Sequence, residues 1–158
     1  MEIRYLADRP DAIAALVVAF AEEWPAYAAE TGHEAITARF RECLRKDALP
    51  LALVGYEAGR LVGTVGLRHD SVRSRPALGP WLAALYVAPD VRGQGRGAAL
   101  VRAAERTAGE IGLAELHAGT STSRSLFQRL GWRPIEDLEY DGEALTIFHQ
   151  LIPPRPSS

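Results

Sequence analysis

The residues best placed to do chemistry lie between Leu85 and Leu100, in the segment LYVAPDVRGQGRGAAL. An apolar run stops at Val87 and Pro89 ends it. Arg92, Gly93, Gln94, Gly95, Arg96, Gly97 and Ala98 then lead into an amphipathic stretch. Three alternate glycines remove the side chains that would keep a ligand away from the backbone. The first N–H groups of a helix lack internal acceptors and, with the helix dipole, attract an anion. Phosphate or diphosphate suits such a turn, and Arg92 and Arg96 add charge beside it. The Walker pattern is missing, because no Gly-Lys-Ser/Thr follows. A dinucleotide fingerprint competes, since Gly93, Gly95 and Ala98 satisfy G-x-G-x-x-A. That fingerprint begins directly after its strand. Here Ala88 to Arg92 intervene, and the next strand ends on His117-Ala118-Gly119 with no closing acid.

At these residues the sequence resembles the GCN5-related N-acetyltransferase (GNAT) family. Its signature, Arg/Gln-x-x-Gly-x-Gly/Ala, is matched by Arg92-Gly93-Gln94-Gly95-Arg96-Gly97, with Val87-x-Pro89 ahead of it. Ser125 to Trp132 (SLFQRLGW) is similar to the family's helix followed by a Gly-aromatic pair. The order of elements fits from residue 1 to about 152. The resemblance implies acetyl-CoA as co-substrate and transfer of its acetyl group to an amine, by direct attack in a ternary complex without a covalent acetyl-enzyme. The amides from Gly93 to Ala98, beside Arg92, would hold the CoA diphosphate. Leu85, Tyr86 and Val87 would bind the pantetheine arm, with the Val87 N–H meeting the developing oxyanion. Thr120 or Ser123 would touch the pantetheine. Phe127 stands where the family often carries a Tyr near the CoA sulfur, and a phenyl ring donates no proton. Water or Tyr86 is left for that role. A small-molecule amine is the expected acceptor, although a peptide stays open, and the family's frequent pairing makes a homodimer an option. Two other readings remain: an acyl-CoA-binding sensor without efficient chemistry, and a dinucleotide-binding oxidoreductase.

An alkylammonium attacks only after losing its proton, so a base must sit near the acceptor. His69 and Asp70 follow the third predicted strand. Glu22 and Glu23 close the first predicted helix, where the resembling family forms its acceptor wall. Solvated surface is the simpler reading of each. His117, inside a strand, reads as a structural histidine, and His33 and His149 carry no pattern. Cys43 falls on an apolar helical face and reads as core rather than nucleophile. Arg68, Arg73 and Arg75 crowd one loop that is either solvated or faces an anionic acceptor. Trp24, Tyr27 and Trp81 are candidates for a pocket wall, although Trp24 and Trp81 equally suit a core.

These residues need positioning by a fold. Ile3 and Tyr5 open a strand. Ile13, Leu16, Val17, Phe20 and Trp24 share a helical face that Pro25 ends or bends. Ile36, Phe40, Cys43 and Leu44 mark a second helix. Leu51–Tyr56 and Leu61–Leu67 form a hairpin around Glu57–Arg60. Trp81–Val87 is apolar enough for a strand covered on both faces. A helix through Leu100, Val101, Ala104 and Ala108 leads to a strand at Leu113–Ala118. A short helix at Ser123–Leu130 follows. Asp141-Gly142 then turns a hairpin between Trp132–Tyr140 and Glu143–Ile152. The expected fold is α/β (α+β in some schemes): a mixed, mostly antiparallel sheet of about seven strands with helices on both faces. Residues 1–152 form one domain and 153–158 a frayed tail. The 158 residues, 24% charged and 47% hydrophobic with a net charge of −2, suit one soluble domain without a nucleic-acid or membrane surface. Charges near Met1 leave no apolar run for a secretion signal, so a cytoplasmic address is expected. A single cysteine excludes an internal disulfide and multi-cysteine metal clusters, and no metal is expected.

Overall fold

The computed structural model describes residues 1–154. Seven strands lie in one sheet in the order β1-β2-β3-β4-β5-β7-β6. They are β1 (Glu2–Tyr5), β2 (Leu51–Glu57), β3 (Arg60–Arg68), β4 (Trp81–Val87), β5 (Glu115–Thr120), β6 (Arg133–Tyr140) and β7 (Glu143–Leu151). Every pair is antiparallel except β4 with β5. The dinucleotide alternative therefore fails, because its binding halves are built from successive parallel βαβ units.

Two layers of helix cover the sheet. On one face, α1 (Ala12–Glu23) and α3 (His33–Glu42) bury Ile13, Leu16, Val17, Phe20, Ile36 and Phe40 against Ala52, Val54 and Tyr56. Between them lies α2 (Pro25–Thr31), a separate helix starting at Pro25, the residue expected to end or bend the first one. Proline has no N–H to lose at a helix start, so it ends one helix and opens the next. The two are bent by 117°, and among the described residues no single helix is long and apolar enough to cross a membrane. On the other face, α4 (Arg96–Glu110) and α5 (Arg124–Arg129) enclose Leu53, Val65, Leu82, Leu100, Phe127, Trp132 and Phe148. β2 is buried along six consecutive residues, and so is most of β3, because both faces are covered.

β4 departs from its sequence reading. Trp81 and Leu82 are buried, but Leu85, Tyr86 and Val87 are only half-buried. The apolar run is thus covered at one end and open at the other. The strand β5 lies two residues later than expected, and the second helix stops at Glu42, before Cys43 and Leu44. Of the expected tail, Pro153 and Pro154 carry no regular structure, and residues 155–158 lie outside the described ones.

Gly63 sets how closely β3, β4 and α4 approach. A Cβ there would stand 2.8 Å from both the Tyr86 carbonyl oxygen and a Leu100 methyl group. Gly63→Ala should cost roughly 1–3 kcal/mol, the usual penalty of overpacking, seen as a lower urea midpoint with an unchanged slope.

Candidate active site

One rung joins β4 to β5. Trp81 pairs with His117, whose N–H donates to the Pro80 carbonyl at 2.9 Å. Beyond that rung the two strands have no ladder partner in each other, and a notch opens between them. Ala84 takes a positive φ of 56°, and the β3–β4 register shifts between Thr64 and Gly66. This bulge turns the second half of β4 away from β5.

The register fixes which backbone groups face the notch. Gly63 lies opposite Val87, and the Ala88 N–H donates to the Val62 carbonyl at 2.8 Å. In an antiparallel ladder neighbouring residues alternate in direction. Val87 and Leu85 therefore turn their main-chain groups away from β3 and into the notch, while those of Tyr86 are spent on Thr64. The Val87 carbonyl already accepts the Arg92 Nε–H at 2.8 Å, which leaves the Val87 N–H as the exposed donor. Tyr86 instead sends its ring to the α1 face, 6.0 Å from Phe20 and 6.3 Å from Trp24. Burial raises the pKa of its phenol, so the hydroxyl keeps its proton at neutral pH.

At the mouth of the notch the chain passes through a short 3-10 turn, Pro89–Val91, into the glycine loop. Gly93 and Gly95 have φ of 77° and 86°, and Cβ atoms added there would meet nothing within 4 Å. The space in front of this loop is open, as a backbone cradle for an anion requires. The first bond of α4 runs from the Ala99 N–H to the Gly95 carbonyl at 3.1 Å. The N–H groups of Arg96, Gly97 and Ala98 precede it without a helical acceptor, and the first turn carries no acidic residue. Gly97 serves packing instead: a Cβ there would lie 3.4 Å from Leu126.

The two arginines of the loop are scaffold. Arg96 forks onto Glu57, its Nη2 2.6 Å from Oε1, and its Nη1 donates to the Val91 carbonyl and to Gln94, both at 2.9 Å. That bond holds the Glu57 carboxyl below its ordinary pKa. Arg92 bridges the Val87 carbonyl and Glu23, its Nη2 2.7 Å from Oε2. Both guanidinium groups fix the loop's shape, and the free donors of the cradle are backbone amides.

The other candidates separate clearly. Glu23 comes to the site, since one guanidinium links it to Val87. Glu22 is exposed. His69 and Asp70 are exposed beyond the Arg68–Trp81 pair, at the far end of β4. Six strand steps separate Trp81 from Val87, about 20 Å. They are not brought to the glycine loop. Thr120 is buried, and its hydroxyl accepts the Ser123 N–H at 2.8 Å, which shapes the entry to α5. Ser123 stands at the start of that helix and makes no side-chain cap. Phe127 is a core residue at 2% exposure, stacked on Phe148 and edge-on to Trp132, so its ring does not line the notch. Trp81 is fully buried, whereas Trp24 is partly exposed beside Tyr86. Tyr27 accepts a hydrogen bond from Arg39 at 3.2 Å.

The loop arginines are also occupied. Arg73 binds Asp141 at 2.9 Å, Arg75 forks onto Glu136, and Arg68 lies near Cys43 and Glu42. Arg73 and Arg75 tie the loop between β3 and β4 to the β6–β7 hairpin, so the anionic-acceptor reading of this cluster is set aside.

Comparison with known proteins follows the same geometry. The sequence matches the model of the Acetyltransferase (GNAT) family over residues 13–132. The chain belongs to that family. It is an acetyl-CoA-dependent acyltransferase, as the signature at Arg92–Gly97 implied. No curated protein sequence matches it. Among solved structures, an aminoglycoside 6'-N-acetyltransferase complexed with coenzyme A aligns with a TM-score of 0.77 at 18% identity, covering 99% of this chain and 100% of that one. The aminoglycoside 6'-N-acetyltransferase from Enterococcus faecium gives 0.75 at 17% identity, with the same coverage. A GCN5-related N-acetyltransferase from Rhodopseudomonas palustris gives 0.67 at 22% identity, covering 95% and 94%. At these identities the likeness is one of fold.

Cys43 is 5% exposed, and burial raises its thiol pKa. Native protein should therefore react with Ellman's reagent at neutral pH far more slowly than protein unfolded in guanidinium, and a rate equal to the unfolded one would return Cys43 to the list of nucleophiles.

Proposed function

We propose that this GNAT member acetylates the primary amine of a small molecule by direct attack on bound acetyl-CoA. The observation that carries this reading is the loss of β4–β5 pairing beyond Trp81, with the Val87 N–H turned away from β3, on the strand that leads into the open glycine loop. The pantetheine arm would take the place of the missing β5 ladder along Leu85 and Val87. The amides of Gly93 to Ala98 would take the diphosphate, with Arg92, Gln94 and Arg96 holding the loop in shape. The Val87 N–H is the donor we assign to the developing oxyanion.

The acceptor side is the α1 face. Glu22, Glu23 and Trp24 stand at the end of α1 beside Tyr86, an acidic and aromatic wall suited to an ammonium group. An alkylammonium with a pKa near 10 must lose a proton before it attacks. We assign that task to Glu23, directly or through one water, after its carboxylate leaves Arg92. Tyr86, which retains its proton, is the donor we assign to the departing thiolate, since Phe127 has none to give. A thiolate whose acid has a pKa near 8.5 leaves acceptably even without full protonation, so a general acid is worth at most about 10²–10⁴ here. Two of the three solved structures named above are aminoglycoside acetyltransferases, which supports an acceptor with several amines without choosing one.

Acetyl-CoA at about a hundred times its Kd should raise Tm by roughly 5–10 °C. Gly95→Glu should abolish that rise with the far-UV circular dichroism unchanged: the added side chain meets no protein atom within 4 Å, and the strain of a positive φ there stays within the loop. Survival of the protection in this variant would place the cradle elsewhere. In a thiol-release assay with a panel of amines, Glu23→Gln should lower kcat by about 10²–10⁴, while Asp70→Asn should leave turnover near wild type. The reverse ranking would exchange the two roles.

A further inference from the structure

Three side chains meet on β5 and β7, on the face away from α4. Glu115 and His117 are two apart on β5, and His117 lies directly opposite His149 on β7. The His149 Nε2 is 3.1 Å from Glu115 Oε1, and the His117 Nε2 is 3.7 Å from the same oxygen. One ligand atom from each residue falls within 4.8 Å of the other two. We propose that Glu115, His117 and His149 form a binding site for a divalent transition-metal ion of the Zn²⁺ class, separate from the acetyl-transfer notch.

The tautomers favour a cation between them. The His117 Nδ1 faces the Pro80 carbonyl at 3.4 Å, and a carbonyl only accepts. The proton therefore sits on Nδ1, and the Nε2 lone pair points toward the Glu115 carboxylate, itself an acceptor. Two acceptors facing each other at 3.7 Å gain nothing without a positive centre between them. Backbone-oriented imidazole with its second nitrogen free is the arrangement by which metal-binding histidines are held. Zinc at 2.0–2.2 Å from N and O donors asks for ligand atoms about 3.3–3.5 Å apart. The spacings of 3.1 and 3.7 Å straddle that value, and with the two imidazoles within 4.8 Å of each other the set closes when they turn toward a shared ion. Two imidazoles and one carboxylate match zinc, and the half-exposed Glu115 and His149 leave a fourth position for water. His117 also forms the only β4–β5 rung and lies 5.5 Å from the Trp81 ring. An ion here would clasp β5 to β7 at the closed end of the notch.

The test uses tag-free, full-length protein stripped with a chelator, titrated with Zn²⁺ by calorimetry and melted with and without it. The expected result is one equivalent bound and a Tm rise of roughly 5–10 °C at a hundredfold excess over Kd. His149→Ala and Glu115→Gln should each weaken binding by at least about 10–100-fold, with native circular dichroism and unchanged melting without metal for Glu115→Gln. Co²⁺ in place of Zn²⁺ should give a visible absorption band that both variants lose. His33→Ala, an exposed histidine outside the cluster, should bind as wild type. Absence of Zn²⁺ uptake, or uptake equal in His149→Ala and Glu115→Gln, would overturn the site and leave the three residues as a hydrogen-bonded cluster.

Discussion

A strand inside a sheet normally spends its N–H and C=O groups on both neighbours. β4 does so on its β3 side before and after the bulge, but on its β5 side only at Trp81. The bulge at Ala84 then carries it away, and Leu85 and Val87 hold main-chain groups with no protein partner across the notch. Such a break costs stability unless solvent or a ligand occupies it. The rest of the fold holds it open. β2 and β3 are covered on both faces and make a stiff support for β4, while β5 is anchored on its other side along all six residues to β7. α4 spans the gap on one face, its Leu100 seated against Gly63. The sheet can therefore come apart locally without coming apart as a whole.

Charge is used in this molecule for posture. Arg92, Arg96, Arg73 and Arg75 each meet a carboxylate and none is left free at the glycine loop. An anion held mainly by backbone amides needs the loop to be correct before it arrives, and the Arg96 fork to Glu57 with its bond to the Val91 carbonyl achieves that. The loop then needs glycine at 93 and 95 for a reason of conformation, since both have positive φ, and for a reason of space, since what lies in front of them must stay empty. Gly97 is different: its missing side chain lets α4 sit close to Leu126. Three glycines that look equivalent in the sequence thus do two separate jobs.

Much of this could be read from residue order. The extent of β4, both hairpins, the glycine turn into α4, the core reading of Cys43 and the seven-strand count all follow from periodicity and turn chemistry. What could not be read depends on register. Ala84 adopts a positive φ that nothing about alanine announces. The half-buried end of β4 looked like a doubly covered strand because the apolar residues that face a notch are the same types that fill a core. His69 and Asp70 fell at the end of a strand next to β4, yet antiparallel pairing sends that end away from Val87. For Arg92 and Arg96 a pattern gives residue types and spacing, not that Glu23 and Glu57 stand beside them. His117 and His149 are 32 residues apart, and only the β5–β7 register makes them neighbours.

The single rung also divides labour across the sheet. The half from β1 to β4 carries the cradle and, through α1, the acceptor wall, so the groups assigned to chemistry share one rigid support. The half from β5 to β7 carries one side of the notch and the Glu115–His117–His149 cluster. The two halves meet through the buried pair Trp81 and His117, through α4, and through the Arg73–Asp141 and Arg75–Glu136 ion pairs. His117 therefore stands at the closed end of the notch, with the glycine loop about 20 Å further along β4.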